Sequence, residues 1–410
     1  MKLADLDVIT VGNPPPGFGG RYFLFVKVTT ACGIIGWGEV YAATVGPKAM
    51  EAVIRDVFER HMERTHPRDV ELMYRRVHSA GFSQRPDPTV MGAFSGLEMA
   101  CWDIWGKALG QPVWALLGGR MRVRVRAYTY LYPDPAEDAG AFYASPSRAA
   151  EVADQFASQG FTAVKCDPAG PYTIHGGHQP GLADLSRSEA FCAQIREAVG
   201  DRADILFGTH GQFTPSGAIR MAERIAPFSP LWFEEPCPPD THPDDLAQVA
   251  RATSIPVASG ERLTTKVEFA ALLRAGAASI LQPALGRVGG IWEARKIAAL
   301  AESYGAQMAP HLYAGPIEFA ANIHLATAIP NALIAESIGD GRGFHADLVD
   351  RPLYVEDGHV TPSIEPGLGL SVNEDVARAH PYTGDGLHLM MAEEPIRYDA
   401  ARPSFGRGDG

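Results

Sequence analysis

The sequence predicts a (β/α)-barrel (modified TIM barrel, class α/β) joined to an N-terminal α+β capping domain, on three observations. From about residue 123 one unit repeats: a short apolar run of β type, a polar or glycine-rich turn, then an amphipathic helix. The unit occurs eight times, which is the strand count that closes a barrel. The first 120 or so residues follow another pattern, and after about residue 350 the repeat stops. The chain is therefore divided into a capping domain (1–122), a barrel (123–350) and a C-terminal segment (351–410) expected to pack back on the cap.

Within the cap, the opening MKLADLDVITV has only a short apolar stretch, with Asp5 and Asp7 inside it. Residues 21–30, RYFLFVKVTT, alternate as a strand does, and the turn at Cys32-Gly33 leads to its hairpin partner GIIGWGEV. Helical patterns follow at about 46–64, 68–79 and 92–109.

The eight apolar runs are VRVRAYTY (123–130), TAVKC (162–166), DILFGTH (204–210), LWFEEP (231–236), IPVASGE (255–261), ASILQP (278–283), AQMAPH (306–311) and ALIAES (332–337). Helical stripes lie between them. Ile291, Ala294, Ala298 and Ala301 recur at helical spacing before Gly305, and Ala149, Val152, Phe156 and Ala157 before Gly160. A doubly wound open sheet would place a glycine-rich phosphate turn after its first strand; AYTYLYPDP offers none.

Composition narrows the partners. A net charge of -12 disfavours a nucleic-acid ligand, because phosphate binding relies on clustered Lys and Arg. The one basic stretch, Arg120 to Arg126, alternates with apolar residues and reads as a strand with a solvated face. No apolar run is long enough to span a bilayer, so no membrane partner is expected and a cytoplasmic location is the default. Five scattered cysteines without a CxxC pair indicate neither a disulfide framework nor a zinc site.

In a barrel of this kind the chemistry sits at the C-terminal ends of the strands. Those ends carry Lys165, His210, Glu234 with Glu235, Glu261, Gln282, His311 and Glu336. From His210 the steps are 24, 27, 21, 29 and 25 residues, about one βα unit each, so the groups face one mouth. A lone His or Glu at a strand end is usually structural; six in successive units make a site. Glu234 and Glu261 on neighbouring strands repel unless a cation lies between them, which suggests a hard divalent ion such as Mg²⁺. Lys165 and His311 flank the cavity as proton-transfer groups.

These residues carry a family resemblance. Glu234-Glu-Pro236, Ser259-Gly-Glu-Arg262, Gln282-Pro283, Gly289-Gly290, Pro310-His311 and Ala335-Glu-Ser337 resemble the mandelate racemase-like subgroup of the enolase superfamily. Gly36-Trp-Gly-Glu39, Gly96-Leu-Glu-Met-Ala-Cys-Trp-Asp103 and Leu116-Leu-Gly-Gly119 extend the match through the cap. The resemblance implies a Mg²⁺ that binds the substrate carboxylate and stabilises the enediolate left by α-proton removal. It casts Glu234 and Glu261 as metal ligands, Lys165 as the first strand-two lysine, His311 as the strand-seven base and Glu336 as a carboxylate that hydrogen-bonds substrate.

Three positions depart from the family pattern. Gly208 stands where a metal-binding Asp is usual, so His210 becomes the expected third ligand, which tilts the preference towards Mn²⁺, with Asp167 helping to restore charge. Ala284 replaces the Asp that orients the strand-seven histidine. Asp167 replaces the second strand-two lysine, against a racemase with two opposed bases. A histidine at His210 resembles instead the galactonate and mannonate dehydratases, where it acts as general acid.

The expected activity is therefore dehydration of a sugar acid. The rivals are a cycloisomerase that opens an anhydro-sugar acid or lactone ring, and an inactive barrel kept as a binding protein. Asp167, Glu235, Gln282, Arg85 and Tyr128 are the expected substrate contacts, covered by the loops Gly81–Pro86 and Gly170–Gly177. A small-molecule carboxylate is the expected ligand and a homo-oligomer the expected assembly.

Overall fold

A computed structural model of the chain describes residues 1–41, 44–170 and 173–393. The N-terminal sheet has three antiparallel strands, β1 (Leu3–Gly12), β2 (Tyr22–Thr30) and β3 (Ile35–Val40), in that order. Strands β2 and β3 are the hairpin expected from alternation. β1 was not legible: Asp5 is exposed on it and Asp7 pairs with Arg378 at 2.5 Å, so the residues that break the apolar run lie on its outer face.

Three helices follow, Pro47–Val57, Val70–His78 and Pro88–Leu109. The last begins four residues before the expected Gly92, because Asp87 caps it by accepting from the N–H groups of Thr89 and Val90 and Pro88 suits a first-turn position. Its middle, Met91 to Ile104, is buried on every side between the sheet and the barrel. The close approach explains the glycines of the Gly36-Trp-Gly-Glu39 motif. A Cβ on Gly38 would stand 1.8 Å from the Gly96 carbonyl oxygen.

The barrel strands are β4 (Val125–Tyr130), β5 (Ala163–Cys166), β6 (Asp204–Gly208), β7 (Trp232–Glu234), β8 (Val257–Ser259), β9 (Ile280–Leu281), β10 (Gln307–Met308) and β11 (Ala335–Ser337). Each lies inside one of the eight predicted runs. They pair in parallel from β4 round to β10, and β11 pairs with β4. The ring closes where Met308 of β10 bridges Ala332, just ahead of β11. β4 starts at Val125, so only the end of the basic stretch is strand. Arg122 instead donates to the Ile329 and Pro330 carbonyls beyond the helix Pro316–Ala328, and Arg126 pairs with Asp204.

One side chain from each strand unit fills the barrel interior: Tyr128, Ala163, Leu206, Trp232, Ala258, Ile280, Ala309 and Ile334 form one buried cluster. Large and small residues share the layer, as a tapering cavity requires. The polar strand-end groups sit one inward-facing step higher. Side chains on a strand repeat every two residues, so Lys165, Glu234, Gln282, His311 and Glu336 each follow a plug residue by two. Their rim position therefore follows from the packing below.

Buried carboxylates join cap to barrel. Glu98 accepts from the N–H groups of Ile291 (2.8 Å) and Trp292 (3.0 Å) and from the Trp102 indole, at the start of the helix Gly290–Ser303. Glu39 accepts from Gly315 N (2.6 Å) and Glu318 N (3.1 Å), and Glu318 accepts from Gly286 N (2.7 Å). Burial pushes the carboxyl groups of Glu39 and Glu98 up to about 7; burial and the neighbouring Glu39 push Glu318 up to about 8. Residues beyond the barrel run back along the cap: Leu368 N donates to Asp103, Glu374 pairs with Lys27, and Tyr382 N donates to Thr10 O. The C-terminal residues 394–410 of the expected third segment lie outside the described residues. All five cysteines are free thiols, and no helix among the described residues is long and apolar enough to cross a membrane.

Candidate active site

Lys165, at the end of β5, is 2 % exposed and lies between two carboxylates. Its Nζ is 2.5 Å from Glu234 Oε1 and 3.5 Å from Glu336 Oε1. Burial works against the ammonium, yet Glu234 and Glu336 outweigh it and hold its pKa well above the lysine range. The second oxygen of each carboxylate is also engaged. Gln282 Nε2 donates to Glu234 Oε2 (2.9 Å), and Leu312 N donates to Glu336 Oε2 (2.8 Å). Gly208, on β6 between these strands, has room: a Cβ there would meet Lys165 Cε at 3.4 Å, an ordinary contact. The missing Asp is thus a difference in chemistry and not a steric exclusion.

The next groups come from the loops above β5 and β6. His210 Nδ1 lies 2.5 Å from Asp167 Oδ2, two partly buried groups joined across adjacent strand ends. His210 has φ +50°, a left-handed backbone uncommon outside glycine, and Thr209 Oγ1 holds the turn by donating to the Glu234 and Glu235 carbonyls. Burial pushes Asp167 up while His210 restrains it; burial pushes His210 down while Asp167 more than compensates. Both end higher than usual. The pair keeps its proton to higher pH than an exposed imidazole would.

On the far side, Glu261 and His311 face each other, with His311 Nε2 3.5 Å from Glu261 Oε2. Burial opposes the Glu261 charge, but His311, His210, Arg262 and Lys165 hold its carboxyl well below the usual range. His311 Nδ1 is buried with no hydrogen-bond partner among the described residues, and the methyl side chain of Ala284 offers no acceptor. Glu235 is taken up by Arg262, whose Nε (2.9 Å) and Nη2 (2.6 Å) both donate to Oε2. Its placement is that of an ion-paired wall residue.

The expected metal-ligand trio does not assemble. Among the described residues no three His, Cys, Asp or Glu side chains converge as a metal site; His210 Nδ1 is instead engaged by Asp167. The two glutamates still suit a hard cation. Glu261 Oε2 is buried without a hydrogen-bond donor, and the carboxylates Asp167, Glu234, Glu235, Glu261 and Glu336 outnumber the cationic side chains Lys165, Arg262 and His210.

Two expected contacts lie elsewhere. Arg85 is exposed on the turn after Ala80–Phe82, apart from the buried ring. Tyr128 is a strand residue of the interior plug, packed edge-on against Trp232 at 5.3 Å, beneath Lys165 and Glu336. In the Gly170–Gly177 loop, Pro171 and Tyr172 lie outside the described residues, while Thr173 bridges Ala392. In the roof, sequence reasoning named the capping-loop residue Phe18 and missed Tyr41, Arg287 and Tyr132. Tyr41, after β3, places its ring 5.9 Å from that of His311, with the Arg287 guanidinium 4.6 Å from the Tyr41 ring centre, and Phe18 stacks on Tyr132 at 4.2 Å. Only the aromatic residues near strand ends, such as Tyr132 after β4, carried a positional hint.

Comparison with known proteins bears on the same features. Residues 18–118 match the model of the mandelate racemase/muconate lactonizing enzyme N-terminal domain, and residues 148–376 match the enolase C-terminal domain-like model. The chain belongs to the mandelate racemase/muconate lactonizing enzyme family. It lies in the mandelate racemase-like subgroup of the enolase superfamily, as the motifs suggested. A mandelate racemase/muconate lactonizing enzyme-like protein from Roseovarius sp. TM1035 has a crystal structure that superposes with a TM-score of 0.95 at 62% identity, over 97% of this chain and 100% of that one. The D-galactonate dehydratase of Klebsiella pneumoniae (strain 342) is 33% identical over 387 residues, 92% of this chain and 93% of its own. The D-xylonate dehydratase of Haloferax volcanii is 32% identical over 378 residues, 90% of this chain and 88% of its own.

Proposed function

We propose that the chain dehydrates a sugar acid, abstracting the proton next to its carboxylate and expelling the neighbouring hydroxyl as water. The observation that carries this reading is the His210–Asp167 pair. Elimination needs a base at the α-carbon and an acid at the leaving oxygen, and these must differ in protonation before the reaction starts. His210, kept protonated by Asp167, suits the acid. His311, whose Nδ1 has no hydrogen-bond partner among the described residues and whose Nε2 faces Glu261 at 3.5 Å, stands across the ring as the second proton-transfer group and is assigned the base.

In this reading His311 takes the α-proton and the electron pair moves into the carboxylate. The Lys165 ammonium, already fixed between Glu234 and Glu336, faces the negative charge that develops there. A lysine held this strongly protonated acts as a stabiliser and not as the base. His210 then gives its proton to the departing hydroxyl, and the enol that remains becomes a keto acid. Glu234 and Glu261 would hold a divalent ion such as Mg²⁺, which supplies further positive charge to the substrate carboxylate. The names of the Klebsiella and Haloferax relatives support the substrate class.

The test is a screen of aldonic and anhydro-sugar acids with Mg²⁺ in deuterated water, read by mass spectrometry. Loss of one water with a keto-acid product is expected for at least one aldonate, D-galactonate and D-xylonate being the first probes. Ring opening without loss of water would instead identify a cycloisomerase, and neither product nor α-exchange across the library would sink the proposal.

A further inference from the structure

The pocket has a wall that the reaction above does not use. His388, in the stretch after the C-terminal helix Glu374–Ala379, is 4 % exposed and packs edge-on to three tyrosines: Tyr22 (5.5 Å), Tyr41 (5.1 Å) and Tyr313 (6.0 Å). Tyr41 thus stands between His388 and the reacting His311. The contact with the loop between β1 and β2 is close. Gly20 has φ +115°, and a Cβ there would fall 2.0 Å from His388 Nε2. The ring also hydrogen-bonds the Gly19 backbone, and the Arg21 N–H donates to the His388 carbonyl at 3.4 Å.

One nitrogen is left over. His388 Nδ1 is buried and has no hydrogen-bond partner among the described residues, while Arg287, stacked on Tyr41, is near enough to influence the ring. A buried imidazole nitrogen without a partner costs roughly 1–3 kcal/mol, and a ligand group that supplies the missing bond recovers it. Crowding by three aromatic rings, Gly19 and Gly20 makes the ring a fixed object. Burial and the Arg287 charge push its pKa down to about 3, so the ring is neutral and Nδ1 is available as an acceptor.

We propose that His388 Nδ1 accepts a hydrogen bond from a substrate hydroxyl remote from the reacting carbons, which makes His388 a specificity-determining residue for polyhydroxylated acids. Neither an ether oxygen nor a methyl group can supply the donor that Nδ1 lacks. The inference rests on the sugar-acid reading for its substrate class, and its test is one of binding, so that the two can fail separately.

Titration calorimetry of the full chain with Mg²⁺ would compare D-galactonate with its terminally deoxygenated analogue, in the wild type, His388→Phe and His388→Gln. The wild type is expected to prefer the hydroxylated acid by about tenfold, one good hydrogen bond. His388→Phe keeps the ring packing and should bind both acids alike, with the affinity of the wild type for the deoxygenated one; His388→Gln should keep part of the preference. The inference is overturned if the wild type shows no preference, if His388→Phe keeps it, or if His388→Phe and His388→Gln both weaken the two acids equally. Absence of turnover with ligand preference intact would overturn the dehydration reading and leave His388 in place.

Discussion

His210 Nδ1 and Asp167 Oδ2 are 2.5 Å apart, Asp167 standing where the family pattern has its second lysine and His210 two residues after the place of the missing metal-binding Asp. His311 Nδ1 has no hydrogen-bond partner among the described residues, whereas His210 Nδ1 has a carboxylate. The first prediction concerns this pair. With Asp167→Asn the imidazole loses the charge that holds its pKa up, so the acid is deprotonated at lower pH. The alkaline limb of kcat/KM against pH should move to lower pH, and His210→Asn should cut dehydration by about 10²- to 10⁴-fold. An unmoved limb in Asp167→Asn would remove His210 from the role of acid.

Lys165 is tied to two buried carboxylates, and removing it leaves both without their cation. Lys165→Met should cost about 3–5 kcal/mol in denaturant unfolding, as expected for breaking a buried ion pair, and should abolish α-hydrogen exchange. The folded pKa of Lys165 lies above its unfolded value, so its contribution is fully present below about pH 10 and is lost only above that. In Lys165→Met the two unpaired buried carboxylates bind protons more readily than in the unfolded chain, so the variant's deficit should grow as pH rises from 5 to 9.

Chelation tests the cation. Treatment with EDTA should stop turnover and added Mg²⁺ should restore it. Glu261→Gln should weaken Mg²⁺ by at least about tenfold in calorimetry, because it removes one of two candidate anionic ligands. Equal Mg²⁺ binding by wild type and Glu261→Gln would place the ion elsewhere.

The joint between cap and barrel should be sensitive to base. Glu39, Glu98 and Glu318 have folded pKa values raised to about 7, 7 and 8, above the unfolded range, so the native state binds more protons than the unfolded one. Their stabilising contribution is complete below about pH 4 and falls as pH rises through 7 to 8. Thermal unfolding should show a loss between pH 6 and 8.5, and Glu318→Gln should reduce that loss by about 1–3 kcal/mol. A Glu318→Gln variant with the same pH slope as wild type would contradict the protonated state of this joint.

Much of the fold was legible because two periodicities write it into the chain. In five of the eight β-type runs a plug residue is followed two positions later by a polar one, so spacing alone puts Lys165, Glu234, Gln282, His311 and Glu336 on a common rim. What spacing does not encode is the direction of a side chain once the strand has ended. The φ of +50° at His210 turns its ring to Asp167, which a pattern read along each run separately cannot anticipate. Spacing does not give the surroundings of Arg85 and Tyr128 either: one is exposed on its turn, the other is drawn into the barrel by strand alternation. β1 was hidden by Asp5 and Asp7 on its solvent face, and the His388 wall by distance along the chain.

That distance has a consequence for how the protein is made. The Arg21 guanidinium donates to the Leu387 carbonyl across 366 positions, and His388 closes on Gly20 beside it. During synthesis the loop bearing Phe18 leaves the ribosome ahead of all eight barrel strands and of His388. A nascent chain halted after the eighth strand would already own its reacting ring. Its selectivity would be the last thing to fold.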